Sequence, residues 1–239
     1  VRGTSVLITP PSVGALTLAD CKAALGITAT SQDTIISGAI DAVAAAMDPA
    51  FGGWLGRALR PQTWELRLPE FPVGDYGFEP GYTNIGLPYP VHTAVSSVKY
   101  DDGDGIERTL NEGTDYRVFG LGGHNRAYIA PVINKTWPYA RPDMESVRFR
   151  YVSGYASAVA ADPAHVPPIA AVADKMPPPI KQAIALSVRM LLSNVERNLF
   201  LSLDRAEGIG EKRYIVSDVA NKLIEQTTVN LLANFRVYG

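Results

Sequence analysis

The side chains with the widest chemical range are few and scattered. Three histidines, His92, His124 and His165, sit in separate loop-like segments. None belongs to an H-x-x-x-H or H-E-x-x-H pair, the spacing that sets two imidazoles on one helix face around a metal. Cys21 is the single cysteine, which excludes an internal disulfide and a cysteine-rich zinc site and suits a small buried residue in a reducing compartment. The run DDGDGIERTLNE (101–112) gathers carboxylates and glycines as calcium loops do. Placing Gly105 at the loop's sixth position sets Tyr100, Asp102 and Asn111 at the first, third and twelfth, so two carboxylates are missing and the run reads as a hairpin turn. No serine lies in a G-x-S-x-G elbow, and GLGGHN (120–125) neither follows a buried strand nor opens a helix, so it reads as a turn rather than a phosphate loop. The expectation is no catalytic residue, no cofactor and no metal. A small hydrolase with a pocket between sheet and helices is the enzymatic alternative, resting only on scattered His, Asp and Ser.

Composition narrows the class further. The 239 residues are 46% apolar and 19% charged with a net charge of −2, as in an ordinary globular protein with no global field toward nucleic acid. VRGTSVLITPPS lacks the basic start and apolar run of a signal peptide, and no stretch has the length needed to cross a bilayer, so neither secretion nor membrane insertion is expected.

The elements that would position any site begin with LTLADCKAALGI, a short helix with Thr17 as N-cap and Gly26 as its stop. Thr30 or Ser31 should cap a longer helix, DTIISGAIDAVAAAM, which Pro49 ends; PAFGGWLGRALRPQ has room for one short turn among its glycines. From Thr63 the period changes to two, with Trp64, Leu66 and Leu68 on one side and Glu65 and Arg67 on the other, as in a half-buried strand. FPVGDYGFEPGYTN reads as a long loop. AVSSVKY and the segment from Ile106 to Leu110 flank the DDGDG turn, and DYRVF, NRAYIAPV and SVRFRYVSGY supply further strands, five to seven in all. Residues 156–179, rich in Ala and Pro, form a semi-extended connector. The prolines Pro177 to Pro179 then open a helix carrying Ile180, Ile184, Val188, Leu191, Val195 and Leu199 on one stripe. A final helix runs from a Ser217 cap through Val219, Leu223, Thr227 and Leu231. The fold class is α+β: N- and C-terminal helices (1–61 and 180–233) form a bundle with an inserted antiparallel sheet or sandwich (62–155), and an arm (234–239) follows.

Two groups of residues suit partner contact. Lys181, Arg189, Arg197 and Arg205 recur every eight residues, an oblique line because eight residues overshoot two helical turns by about 80°. That line is either a solvated face with ion pairs to Glu196 and Asp204 or a subunit contact. Trp64 suits the core, whereas Tyr76, Phe78, Tyr82 and Tyr89 lie in loops and are candidates for touching a partner; a glycan- or receptor-binding module is the further alternative.

Taken in order, the capped N-terminal helices, RALRPQTWELRLPEFP, GLPYPVHTAVSSVKYDDGDG, DYRVF, the loop containing Trp137-Pro138, VRFRYVSGY and PPPIKQAIALSVRMLLSNVERN resemble the head–tail adaptor (connector) proteins of long-tailed bacteriophages and related gene transfer agents. The resemblance covers most of the chain and departs from the compact family pattern in the connector and in FPVGDYGFEPGYTN. It implies a structural virion protein, made in the bacterial host cytoplasm and located at the head–tail interface. It further implies a homo-oligomeric ring, generally twelvefold, beneath the portal protein, with a stopper or tail-completion protein below and DNA passing through the lumen without sequence recognition. No membrane takes part. By the same resemblance Leu231, Leu232, Asn234, Phe235, Arg236, Val237 and Tyr238 form the portal-docking arm, which has no evident core of its own chain to join and is expected to be disordered when unbound.

Overall fold

Thr17 begins the first helix as its sequence predicts. Its Oγ1 accepts the Asp20 amide at 3.1 Å, and Gly26 ends α1 (Leu18–Leu25) in the left-handed region, so both helix termini have partners. These residues belong to a computed structural model of the chain that describes residues 3–72, 83–158, 172–200 and 218–237. The second helix, α2 (Asp33–Met47), differs from expectation at its start: the cap position is Gln32, whose side chain does not cap the helix. The Thr30 carbonyl accepts the Asp33 amide at 3.2 Å, and Lys22 holds the Asp33 carboxylate at 2.5 Å, so the backbone turn and an ion pair replace the hydroxyl cap. Asp48 stops α2 and turns its own carboxylate onto the Ala50 amide at 2.8 Å, which heads a short 3-10 turn, Pro49–Phe51.

The two later helices are α3 (Pro178–Phe200) and α4 (Asp218–Ala233). Ile180, Ile184 and Val188 of α3 are fully buried, as the stripe predicts, whereas Leu191 is 40% exposed. Burial therefore stops short of that position. The helix touches α1, α2 and α4, and Cys21, Ile36, Ile40, Met47 and Leu232 join it in one apolar cluster. Burial of each such aliphatic side chain contributes about 1.5–3 kcal/mol. Ile36→Val, which removes one methyl from a fully enclosed site, should cost about 0.5–1.5 kcal/mol in a urea titration with an unchanged m-value.

Alternation organises the rest. In β2 (Gln62–Leu68) Trp64, Leu66 and Leu68 point inward, and in β8 (Val147–Ser153) Val147, Phe149 and Tyr151 are wholly buried. With β4 (His92–Asp101) and β5 (Glu107–Leu110) they form an antiparallel sheet whose order is β1-β2-β8-β4-β5. Its edge is β1 (Thr4–Thr9), from the N-terminal stretch VRGTSVLITPPS, paired antiparallel to β2. Val6, Leu7 and Ile8 are contiguous rather than alternating, so period-two reading passes over them.

A second sheet has the order β3-β7-β6, from β3 (Ile85–Gly86), β6 (Tyr116–Phe119) and β7 (Tyr128–Pro131). Its Ile85, Tyr116 and Ile129 share a core with Trp64, Phe149 and Tyr151. Trp64 is thus a core residue, and Phe71 stacks on Trp137 at 4.8 Å. The DDGDG run is the β4–β5 turn. Asp102 Oδ1 accepts the Asp104 and Ile106 amides at 3.1 and 2.9 Å, and Oδ2 accepts Arg108 Nε at 2.7 Å, so the turn itself occupies both oxygens. The chain is α+β, with antiparallel sheets and four α-helices among the described residues.

Candidate functional site

Glycines shape the loop that leaves the Pro49–Phe51 turn. The Trp54 and Leu55 amides bond back to the Ala46 and Met47 carbonyls at 3.3 and 3.2 Å, and Leu55 and Leu59 sink into the helical core. Leu55 therefore shows its carbonyl outward, where it accepts the Val237 amide at 2.9 Å. Gly56, at φ +66°, lets the incoming chain approach closely: a Cβ there would lie 2.2 Å from the Val237 carbonyl oxygen. Arg57 lies beneath, 3% exposed. Its Nε–H donates to the Phe235 carbonyl at 2.9 Å, and its other nitrogens donate to the His124 carbonyl at 2.7 Å and the Tyr155 hydroxyl at 3.3 Å. All three acceptors are uncharged oxygens.

The arm therefore joins its own chain, contrary to the expectation of a disordered tail. Leu232 is fully buried in the core, Leu231 and Phe235 pack against it, and the Arg236 guanidinium lies 5.4 Å from the Trp54 ring centroid. The reason is sequence-distant: Leu55, Gly56 and Arg57 supply the acceptor, the space and the donor. Among the arm residues, Asn234 and Arg236 are exposed. Tyr238 lies outside the described residues, as do Arg205, His165, Tyr76, Phe78, Tyr82 and the side chain of Arg197.

Tyr89 is half-buried, its ring 4.5 Å from Trp64, and so sits against the sheet core. Lys181 pairs with Asp174 at 3.0 Å and Arg189 is exposed, while Asp204 and the side chain of Glu196 lie outside the described residues. These two do not converge with the arm's cradle. Sequence reading passed over Arg57 and took Gly56 as a helix breaker; Gly52, Gly53 and Gly56 clustered about Leu55 were the one available signal of a close chain approach.

Among the described residues the histidines hold no converging set. His92 is enclosed, with the Pro88 carbonyl 2.8 Å from Nε2 and the Ala127 amide donating to Nδ1 at 3.1 Å. Those partners fix the neutral tautomer with its proton on Nε2. Burial, reinforced by the Arg126 and Arg57 charges against the Pro88 bond, pushes its pKa down to about 4. A cavity of about 530 Å³ lies between β1 and β3, lined in part by Ser5, Leu66, Tyr89, Arg126 and Val237, and among the described residues no histidine or carboxylate residue lines it.

The outer face of the first sheet is an ion network. Glu65 accepts Arg150 at 2.7 Å and Arg67 at 2.9 Å; burial alone would raise its pKa, but the two arginine hydrogen bonds hold it below the usual carboxylate range. Arg67 and Arg148 are direct cross-strand neighbours. Their like charges are separated by Glu145 on one and Asp101 on the other, both at 2.7 Å, which removes an otherwise destabilising pair.

The cradle's chemistry is recognition rather than reaction. It offers one carbonyl, one cation and one side-chain-free surface to an extended main chain. No helix among the described residues is long and apolar enough to cross a membrane, and no group of His, Cys, Asp or Glu among them could hold a metal.

No protein-family model matches the sequence, and neither does any curated protein. The fold is similar to that of a chain in the virion of a native gene transfer agent particle, at 17% identity and a TM-score of 0.57, covering 98% of this chain and 96% of that one. It is also similar to a chain in the neck of an empty gene transfer agent particle, computed with C6 symmetry, at 16% identity and a TM-score of 0.55, covering 100% of this chain and 97% of that one.

Proposed function

We propose that the chain is a structural virion protein of the neck, a head–tail adaptor whose copies form a ring beneath the portal, around the DNA channel and above the stopper or tail-completion protein. The observation that carries this reading is the fold likeness over essentially the whole length of both chains; the order of sequence segments supports it independently. A twelvefold ring is compatible with the C6 symmetry used for the similar neck, since twelve copies obey a sixfold axis. Side-by-side contacts that close by rotation would build it. The role is architectural rather than enzymatic, a reading supported by the engaged ring nitrogens of His92. The arm, with Phe235 as its apolar anchor, is the portal-docking element.

Disruption of the gene tests the proposal. DNA-filled heads without tails in electron micrographs are expected, and tailed particles formed without this chain would overturn it. For the helix arginine line the expected effect is small. Arg189→Ala should leave the fold unchanged and at most weaken ring formation, read by sedimentation, because exposed charged contacts contribute about 0–1 kcal/mol each.

A further inference from the structure

The cradle engages main-chain atoms of the segment read as the docking arm, the Val237 amide and the Phe235 carbonyl. We infer that Leu55, Gly56 and Arg57 form an autoinhibitory latch that withholds residues 235–237 until a partner competes for them; this rests on the portal-docking reading of the arm. Docking and latching exclude one another, since the Val237 amide is engaged by Leu55 and the Phe235 carbonyl by Arg57. Opening is confined to the segment after Leu232, which stays anchored in the core. The Phe235 amide returns to the Leu232 carbonyl at 2.9 Å and can hold the end of α4 in place; the Phe235 carbonyl shares a planar peptide with the Arg236 amide, so opening also breaks that amide's 3.0 Å bond to Leu232.

A closing tendency is built in. Release strips a buried guanidinium of one of its three acceptors, and such a donor left without a partner is unfavourable. Through its other two bonds Arg57 ties the arm's state to the loop at His124 and to Tyr155 beyond β8. A partner that needs the open arm binds with an affinity reduced by the open fraction, and a fraction below about one tenth weakens it at least tenfold.

Gly56→Ala separates the possibilities. The three atoms nearest the methyl would all belong to Val237, and the left-handed backbone tolerates a single alanine at a cost of about 1–2 kcal/mol. In the full chain the variant should keep its helical signal, its Val237 amide should exchange at least about tenfold faster, and portal rings should capture it at least about tenfold more tightly. Trp54→Ala, which removes the ring under Arg236 from the cradle side, should move both readings in the same direction and serves if Gly56→Ala does not fold. The latch is overturned if the wild-type Val237 amide exchanges as fast as in an unstructured peptide, or if faster exchange leaves portal affinity unchanged or weaker. Capture of none of the chains by portal overturns the docking reading, and the regulatory role with it; the exchange contrast, measured without portal, tells that failure from a failure of the cradle contact.

Discussion

Arg60→Ala should destabilise the chain by about 3 kcal/mol, near the lower end of what losing one partner of a buried ion pair costs. Arg60 is 4% exposed, and its guanidinium joins three stretches of chain. Nε donates to the Gly14 carbonyl at 3.0 Å, one terminal nitrogen donates to the Ala15 carbonyl at 2.8 Å, and both terminal nitrogens grip the Asp174 carboxylate at 2.8 and 3.0 Å. Those hydrogen bonds, opposed by burial and helped by the Met176 amide and Lys181, hold Asp174 well below the usual carboxylate range. Removing Arg60 leaves two inward carbonyls unpaired and a carboxylate with Lys181 as its remaining cation, which is why the loss falls at the low end. The site has no slack for a rearranged backbone, because Gly154 packs so closely that a Cβ there would lie 2.0 Å from the Arg60 carbonyl oxygen. Arg60→Lys keeps the charge without the planar fork and should recover less than half of the loss. Urea midpoints of Arg60→Ala, Asp174→Ala and the double variant should give a coupling above about 1 kcal/mol. A coupling near zero would assign the effect to the two carbonyls alone.

The elements that the sequence announced are those whose own residues decide their conformation. Thr17 and Gly26 bound α1 because capping is local, and the Asp-Gly turn between β4 and β5 closes on the oxygens of Asp102. The α3 stripe was legible to Val188 because period and burial coincide there. What failed depended on distant partners. The edge strand β1 becomes a strand by pairing with β2, roughly sixty residues away along the antiparallel register. The arm's fate is set by Leu55, Gly56 and Arg57, about 180 residues earlier, as the separation of 178 between Arg57 and Phe235 states directly. No local pattern marks an arginine that will be buried against carbonyls, since Arg57 and Arg60 in GRALRP look like any exposed basic pair. Composition alone places charged residues at the surface, and the three-dimensional closeness of otherwise unpaired carbonyls, joined for Arg60 by the Asp174 carboxylate, makes their burial favourable.

Lowering the pH from neutrality should remove roughly 3 kcal/mol of stability through His92 alone before the carboxylates contribute. In the unfolded chain this imidazole titrates near its ordinary value of about 6.5; in the fold, burial foremost pushes it down to about 4. Between those values the unfolded state binds a proton that the native state refuses. Stability from His92 is therefore fully present above about 6.5, declines as pH falls through the window and is gone below about 4. Protonation of Nδ1 would also place an N–H against the Ala127 amide that now donates to it. Below about 4 the carboxylates continue the decline, since Asp174 and Glu65 stay ionised in the fold under conditions where the unfolded chain protonates them. Two controls isolate the histidine. His92→Gln offers an amide donor toward Pro88 and an oxygen toward Ala127 without titrating, so its urea midpoint should be flat between pH 6.5 and 4.5 where the wild type falls. Because burial rather than a neighbouring charge is the main cause, the wild-type slope should hardly change between 50 and 500 mM salt, in contrast to an exposed ion pair. A slope that survives in the Gln variant would move the effect to another group.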